Sequence, residues 1–341
     1  MFEKKRYLIE KLVKKKVIKI VVIITLFTFL IVSNCGCIEQ QKNTIKVSGA
    51  FALYPMMVIW VEEYEKLHPE IKIDVSAGGA GKGMSDALAG IVNIGMVSRE
   101  IYTEEIELGA FWISVAKDAV VATINTNNPV IEYILENGLN RNQLRDVFTN
   151  KKESRINKTW GQLIGNPSIT TNIQVYSRSD ACGAAETWAA YLGDYKQGDL
   201  TNAADSCVEG DPSLAATIQN VKAGIGYNNI NFVYNPETKK PYDKLQPVPL
   251  DLNENGIIDQ DEDFYETRDD IINAIAKDIY PSPPARDLHL VTKNNFSGIT
   301  KNFVYWILTE GQKFVPDGGY IQLSEETISK QTEYLEEGFR P

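Results

Sequence analysis

Apolar and polar residues in the first third of the chain alternate between two patterns. Short apolar runs at "IKVSG", "IKIDVSA" and "VNIGMV" predict three strands, and each run leads into a loop. The segment after the first loop carries an apolar stripe of Ile59, Trp60, Tyr64 and Leu67 behind Pro55, which suits the first turn of a helix. Because strand, loop and helix alternate three times, this region predicts an α/β fold with parallel strands.

The rest of the chain continues the alternation with longer strands. The run "DAVVATIN" at residues 118–125 is strongly β-prone, and "VKAGIGYNNI" and "RDLHLVTK" also have strand patterns. Helices are predicted near residues 141–148 and 183–192, and the apolar "NFVYWIL" segment lies near the end of the chain. This order predicts two lobes joined by paired crossings, near residues 120–126 and 225–235.

The crossings set the predicted lobe boundaries. Lobe I comprises residues 45–122 and 228–341, and lobe II comprises residues 123–227. The chain has no internal repeat and no low-complexity tract.

The N-terminus has the pattern of an export signal. A lysine-rich start leads into the apolar "VVIITLFTFLIV" and then "SNCGC", which predicts a signal over residues 1–36 with Cys37 as the lipidated first residue of the mature chain. Cys35 is a rival cleavage point, and an uncleaved anchor is the alternative. Residues 37–44 then form a short polar tether, so the bulk of the chain is expected outside the membrane and tethered to it.

Composition and charge narrow the possible partners. The 341 residues are 43% hydrophobic and 23% charged, which is typical of a globular protein. Removal of residues 1–36 takes away eight basic and two acidic side chains and changes the net charge from −10 to −16. This charge argues against a nucleic-acid partner, because phosphate backbones are bound by basic surfaces.

Two cysteines remain outside the signal region. Because the compartment is oxidising, Cys182 and Cys207 are predicted to form a disulfide, which would close a loop of about 25 residues and stabilise the fold by roughly 3 kcal/mol. Two buried free thiols are the alternative.

Three loops have the character of an anion site. The stretches "SGAFALYP", "AGGAGKG" and "SRSDACGAAETW" each lie between a predicted strand and helix, where free amide groups favour an anion. Lys82 and Arg178 add positive charge within two of these loops, and Arg178 could hold an oxyanion through two hydrogen bonds.

The order of these loops resembles the extracytoplasmic phosphate-binding proteins of ABC importers. The pieces that carry the resemblance are "VSGAFALYP", "SAGGAGKG", "VNIGMVSRE", "NTNNPV", "RSDACGAAE", "AGIGY", "YPSPPARDLHLVTK" and "FVYWILTEGQKFV". The resemblance implies a two-lobed type II periplasmic-binding-protein (Venus flytrap) fold, with mixed, mainly parallel sheets and two crossing hinge strands. It also implies a monomer that binds an oxyanion between its lobes and delivers it to a membrane permease driven by an ATPase.

The resemblance also places the ligand-binding positions. They are Ala50, Phe51, Ala52, Gly79, Ala80, Gly81, Lys82, Ser98, Arg99, Arg178, Cys182, Gly183 and Ala184.

This chain departs from the family at the hydroxyl donors of the loops. Residues 50–52 read Ala-Phe-Ala where the family usually has a Ser-Thr-Thr type run, Ala80 replaces a serine, and residues 182–184 read Cys-Gly-Ala in place of Ser-Gly-Thr. Ser98 and Arg99 stand where one branch of the family has an aspartate. Each lost hydrogen bond is worth about 0.5–1.5 kcal/mol, so phosphate binding should weaken or the ligand should change.

Several functions therefore stay open. Phosphate is the leading ligand, and tungstate, molybdate or a small carboxylate are alternatives. A surface sensing or interaction protein that has lost transport is a further alternative. Catalysis has little support, because neither of the two histidines has a partner at a known spacing.

Residues 251–262, "DLNENGIIDQDE", match the spacing of an EF-hand calcium loop. The expected oxygen ligands are Asp251, Asn253, Asn255, the Ile257 carbonyl, Asp259 and Glu262. Prolines precede the loop and argue against an entering helix, and there is no second copy, so we expect one structural calcium ion rather than a sensor. An acidic turn without metal is the alternative.

Overall fold

The strands form one mixed sheet. The computed structural model describes residues 43–340, so the predicted signal, Cys35, Cys37 and most of the tether lie outside the described residues. Within this part the strands are β1 (Thr44–Gly49), β2 (Lys72–Ala77), β3 (Ile94–Val97), β4 (Ala110–Asn125), β5 (Gln174–Arg178), β6 (Ser206–Val208), β7 (Gly224–Asn229), β8 (Leu245–Pro247) and β9 (Ala285–Lys293). Their order is β2-β1-β3-β9-β4-β7-β5-β6, with β8 paired to β4 beside this path.

Strand β4 connects the two halves of the sheet. Its 16 residues pair with β9 from Ala110 to Ala119 and then with β7 from Val120 to Ile124, both antiparallel. The pairs β1·β3, β5·β6 and β5·β7 are parallel, whereas β9 is antiparallel to β3 and β8 is antiparallel to β4. The predicted α/β fold with a mixed sheet is confirmed, and β4 and β7 are the two strands predicted to cross.

Helices connect and cover these strands. They are α1 (Tyr54–Leu67), α2 (Ala80–Leu88), α3 (Thr103–Glu107), α4 (Ile131–Asn137), α5 (Arg141–Thr149), α6 (Trp160–Leu163), α7 (Gly183–Leu192), α8 (Gln197–Ala203), α9 (Gly210–Asn220), α10 (Arg268–Ala276), α11 (Gly298–Leu308) and α12 (Glu325–Glu337). Among residues 43–340, no helix combines the length and the apolar character that a bilayer span requires.

Helix α2 begins earlier than the sequence pattern predicts. The glycine-rich loop predicts a start near Met84, but the helix begins at Ala80, directly after Gly79 with φ = +91°. That backbone conformation is accessible to glycine at little cost, so the chain can turn sharply out of β2 and begin the helix at once. Most of the "AGGAGKG" stretch is therefore the first turn of a helix.

The segment before α10 packs beside residues that the sequence assigns to the other lobe. Leu245, Val248 and Leu250 are buried in the same core as Ile124 and Trp188. Of the described residues, 45–69 and 73–340 form one compact unit, and residues 43–44 and 70–72 form another. Within the second unit, the Lys72 amide donates to the Asn43 carbonyl at 2.9 Å. The division into two lobes stays a prediction.

Candidate anion-binding site

The loops that follow β2, β3 and β5 meet where the sequence predicts an anion-binding site. The Gly81 amide at the start of α2 donates to the Ala181 carbonyl after β5 at 3.0 Å. A Cβ atom on Gly183 would lie 2.1 Å from the Ser98 carbonyl oxygen, and one on Gly79 would lie 2.7 Å from the Ala181 carbonyl oxygen. Glycine is needed here because the loops are too close for side chains.

The buried guanidinium of Arg178 lies at this meeting point. Its Nε and Nη2 donate to the two carboxylate oxygens of Asp180 at 2.8 and 2.6 Å, and its Nη1 donates to Asp211 at 2.6 Å. Burial opposes the charge of Arg178, but the carboxylates of Asp211 and Asp180 outweigh it and raise the pKa of the guanidinium. Arginine has five N–H groups, so two remain for a ligand after these bonds with the described residues.

Asp211 is the residue of this site that sequence reasoning misses. It is 1% exposed at the start of α9, and its Oδ1 accepts the Asn229 amide at 3.0 Å. It lies 33 positions after Arg178, so no local pattern connects the two residues. The only sequence signal is "EGDPS", in which an acidic residue and a proline occupy a helix N-terminus.

Phe51 lies at a position where the resemblance predicts a hydroxyl-bearing side chain. The centre of its ring lies 5.4 Å from the guanidinium carbon of Arg178, within cation–π range. A Cβ on Gly210 would lie 3.1 Å from the same ring. Phe51 therefore brings an apolar face to the arginine where a hydrogen-bond donor is expected, beside the buried Ala50, Ala52, Ala80 and Ala184.

Two of the predicted cationic residues are held by other carboxylates. The Lys82 ammonium bonds Asp86 at 2.5 Å, one helical turn later in α2, and Asp86 also accepts the hydroxyl of Ser48. Arg99 donates to both oxygens of Glu105, at 2.9 and 2.6 Å. Neither pair involves Arg178, and the roles of Lys82 and Arg99 at the anion site stay predictions.

Cys182 and Cys207 are free thiols, so the predicted disulfide is wrong. The Cys182 Sγ accepts the amide of Ala185 at 3.3 Å and caps the start of α7, whereas the Cys207 Sγ lies 3.8 Å from the Thr201 carbonyl. Burial raises the pKa of the Cys182 thiol to about 12, so this residue is neutral at physiological pH.

Gln197 fixes the turn between β5 and α7. Its side-chain amide donates to the Asp180 carbonyl at 2.6 Å, and its side-chain oxygen accepts the Cys182 amide at 3.0 Å. The turn that carries Asp180 is thereby held on α8.

The predicted calcium loop is closed by hydrogen bonds to its own carboxylates. The Asp251 carboxylate accepts the amides of Asn255 and Gly256 at 3.1 and 3.0 Å, and Glu262 accepts the amides of residues 252 and 253 at 2.8 and 3.1 Å. Asp259 accepts the side-chain amides of Asn253 and Asn255, and Ile257 is 51% exposed. Among residues 43–340, no group of three or more His, Cys, Asp and Glu side chains is arranged to hold a metal, so calcium stays a prediction.

Comparisons with known proteins agree with the fold. Residues 38–311 match the family model described as the PBP superfamily domain. The chain is 23% identical over 359 aligned residues to the phosphate-binding protein PstS of Methanocaldococcus jannaschii, covering 87% of this chain and 89% of that protein. It is also 23% identical to PstS of Bacillus subtilis, with 86% and 85% covered.

Solved structures show the same fold. A Clostridium perfringens protein solved with bound phosphate has a TM-score of 0.64 and 24% identity, over 83% of this chain and 100% of that one. An ABC-type phosphate transport receptor from Vibrio cholerae has a TM-score of 0.58 and 19% identity, over 82% and 100%.

Proposed function

The chain belongs to the PBP superfamily, and we propose that it is the membrane-anchored substrate-binding lipoprotein of an ABC importer. It binds a small oxyanion between two lobes and delivers it to a permease. The observation that carries this proposal is the convergence of the loops after β2, β3 and β5 on the buried guanidinium of Arg178. Lipidation of Cys37 anchors the mature, monomeric chain on the outer face of the membrane.

Phosphate is the first ligand to test, because the relatives named above are phosphate-binding proteins. The missing hydroxyls and the two carboxylates on Arg178 favour weaker phosphate binding or a different anion, such as tungstate, molybdate or a small carboxylate. Phosphate and each of these alternative anions would use the remaining N–H groups of Arg178 and the backbone amides at the starts of α2 and α7.

A sensing or interaction role without transport is the second candidate. The ring of Phe51 lies 5.4 Å from the guanidinium carbon of Arg178 and favours this role, because the resemblance predicts a hydrogen-bond donor at that position.

Calcium would have a structural role in residues 251–262. Asp251 and Glu262 are 5% and 4% exposed, and neither forms an ion pair with a cationic side chain among the described residues. Buried carboxylates without a cationic partner are costly, so a calcium ion would offset their charge.

A thermal-shift screen of the mature chain tests the anion proposal. The ligands are phosphate, sulfate, tungstate, molybdate and acetate, and a ligand at 100 times its Kd should stabilise the fold by about 2.7 kcal/mol. We expect at least one oxyanion to raise the Tm of the wild type and of Arg145→Lys, an exposed control on α5, but not that of Arg178→Lys. If none of these anions raises the Tm of the wild type, the proposal is contradicted.

A further inference from the structure

A cavity of about 450 Å3, here called the side cavity, lies beside α7 and has no role in the proposed function. Its walls come from the segment after β3, from β4, from α7 and its following loop, and from the start of β9. Its volume is within the range of about 300–1,000 Å3 that is typical of small-molecule sites. Inorganic phosphate alone would leave most of it unfilled.

Two lysines supply charge that is available to a ligand. Among residues 43–340, the only ion pair of Lys117 on β4 is a long one to Asp287, at 3.7 Å, and both side chains are over a third exposed. Lys196 makes no ion pair with any residue that the structure describes, and its ammonium lies 5.9 Å from the ring centre of Tyr102. Exposed ion pairs of this kind are weak, so an anion can replace Asp287 as the partner of Lys117 at little cost.

Two arginines of the lining are instead fixed and form part of its wall. Arg286 bonds Asp118 at 2.8 Å and Asn229, and Arg99 is held by both oxygens of Glu105. The positive charges of Arg286 and Arg99 are therefore already balanced by the carboxylates of Asp118 and Glu105.

The buried residue Thr187 also lines the side cavity. Thr187 is 7% exposed, and its Oγ1 accepts a hydrogen bond from Nη1 of Arg286 at 3.1 Å. Its own O–H makes no hydrogen bond with the described residues, so it remains available as a donor. The loops around Arg178 lack such a hydroxyl at residues 50–52 and 80.

The remaining lining suits a ligand with an organic body. Ala190, Pro283 and Ala285 are apolar, whereas the lining carboxylates of Glu100, Glu186 and Asp287 can accept hydrogen bonds. A ligand that carries hydroxyl groups on a short carbon chain would contact the apolar side chains through its carbon atoms and donate hydrogen bonds to the carboxylates through its hydroxyl groups.

We propose that the side cavity binds a small hydroxylated organic oxyanion, with Lys117 and Lys196 as its charge partners and Thr187 as a hydrogen-bond donor. The oxyanion is either a phosphate monoester or a hydroxycarboxylate. Its binding does not depend on Arg178.

Calorimetric titration of the mature chain with glycerol 3-phosphate and with malate tests this proposal and separates the two sources. We expect one of them to bind the wild type with an affinity that falls at least tenfold in the double variant Lys117→Ala/Lys196→Ala and several-fold in Thr187→Val. The double variant Lys158→Ala/Lys222→Ala changes exposed lysines outside the cavity and should bind like the wild type. Because Lys117 and Lys196 are exposed, their replacement should leave the Tm within a few degrees of the wild-type value.

The variant Arg178→Lys separates this site from the one around Arg178. Binding of the organic anion should be unchanged in this variant, even if no inorganic oxyanion binds the chain at all. The proposal is overturned if neither compound binds at millimolar concentration, if the Lys117→Ala/Lys196→Ala variant binds like the wild type, or if only Arg178→Lys loses binding.

Discussion

At the scale of single residues, the site depends on how the positive charge of one buried arginine is balanced by carboxylates. Two carboxylates surround the guanidinium of Arg178, and the same hydrogen bonds and charge lower the pKa of Asp180 although its burial acts in the opposite direction. The arginine holds β5, the following turn and the start of α9 together. It is thus a structural centre of the fold as well as the proposed anion ligand.

Removal of this cation should destabilise the fold strongly. Arg178→Met leaves the buried carboxylates of Asp180 and Asp211 without a cationic partner, and breaking a buried ion pair in this way costs about 3–5 kcal/mol. Urea denaturation should show this loss in the free energy of unfolding, whereas the exposed Arg145→Met should change it by less than about 0.5 kcal/mol. Equal stabilities of the two variants would show that Arg178 has no such role.

The close contact between α7 and β3 gives a second residue-scale prediction. In Gly183→Ala the new Cβ would lie 2.1 Å from the Ser98 carbonyl oxygen, so the backbone must shift, at a cost of about 1–3 kcal/mol. The control is Gly198→Ala on α8, where a Cβ meets no atom within 4 Å. Thermal unfolding should show a lower Tm for the first variant only, and a Tm unchanged in both would contradict the packing of these loops.

Some site residues were predictable from the sequence and others were not. Arg178 and the glycines of the loops are marked by local strand–loop–helix patterns. The assignment of Lys82 to the anion site stays a prediction, and Asp86 four residues later is a sequence signal for the helical ion pair that Lys82 forms. Asp211 and the free state of Cys182 depend on contacts between distant segments, which no local pattern specifies.

At the scale of elements, the predicted calcium loop is tied to α4. The Ile258 amide donates to the Glu136 carbonyl at 2.9 Å, and the Asn137 side chain donates to the Gly256 carbonyl at 2.7 Å. Bound calcium would therefore stabilise both the loop and the end of this helix.

Calcium removal should lower the Tm of the mature chain without abolishing anion binding. At 100 times its Kd, calcium contributes about 2.7 kcal/mol, which chelation would remove. The effect should be absent in Glu262→Gln and retained in Asp261→Asn, which changes an exposed neighbour of the ligand positions. Melting curves that do not respond to calcium or chelator in the wild type would exclude the site.

The contact between β4 and β9 gives a prediction of pH dependence. The Nδ1 atom of His289 lies 3.1 Å from the Ser114 hydroxyl, and burial, with the nearby charges of Arg340, Arg99 and Arg286, lowers the pKa of His289 from 6.5 to about 3. The unfolded chain binds a proton near pH 6.5 and the folded chain only near pH 3. The neutral ring thus contributes stability that is complete above pH 6.5 and is lost as the pH falls.

Urea denaturation at pH 7.0 and 5.5 checks this sign. Between these pH values, the free energy of unfolding of the wild type should fall by about 1.4 kcal/mol more than that of His289→Gln, because one pKa unit corresponds to about 1.4 kcal/mol. Equal losses in both proteins would show that His289 does not contribute.

Long elements with a clear period were predictable, and irregular ones were not. The helices predicted near 141–148 and 183–192 are α5 and α7, because their apolar stripes face the core. The sequence predicts a helix over residues 263–280, but α10 begins only at Arg268, because residues 263–267 are not helical although Phe264 and Tyr265 are buried. Strand β6 has only three residues, too few for a period to be recognised.

At the scale of the whole molecule, the antiparallel pair of β4 and β7 is the expected place of a hinge. Arg286 on β9 bonds Asp118 on β4, Asn229 on β7 and Thr187 on α7, so one side chain connects elements from both halves of the sheet. A ligand that contacts α2 and α7 together would favour the closed arrangement of such a hinge.

The central claim is that an oxyanion binds where the loops converge on Arg178. Isothermal titration calorimetry of the mature chain with phosphate, followed by the other oxyanions, tests it most directly. We expect binding of one anion per chain in the wild type and its loss in Arg178→Lys, measured under conditions where both proteins are folded. No heat with any oxyanion, or equal binding by the two proteins, would contradict the claim.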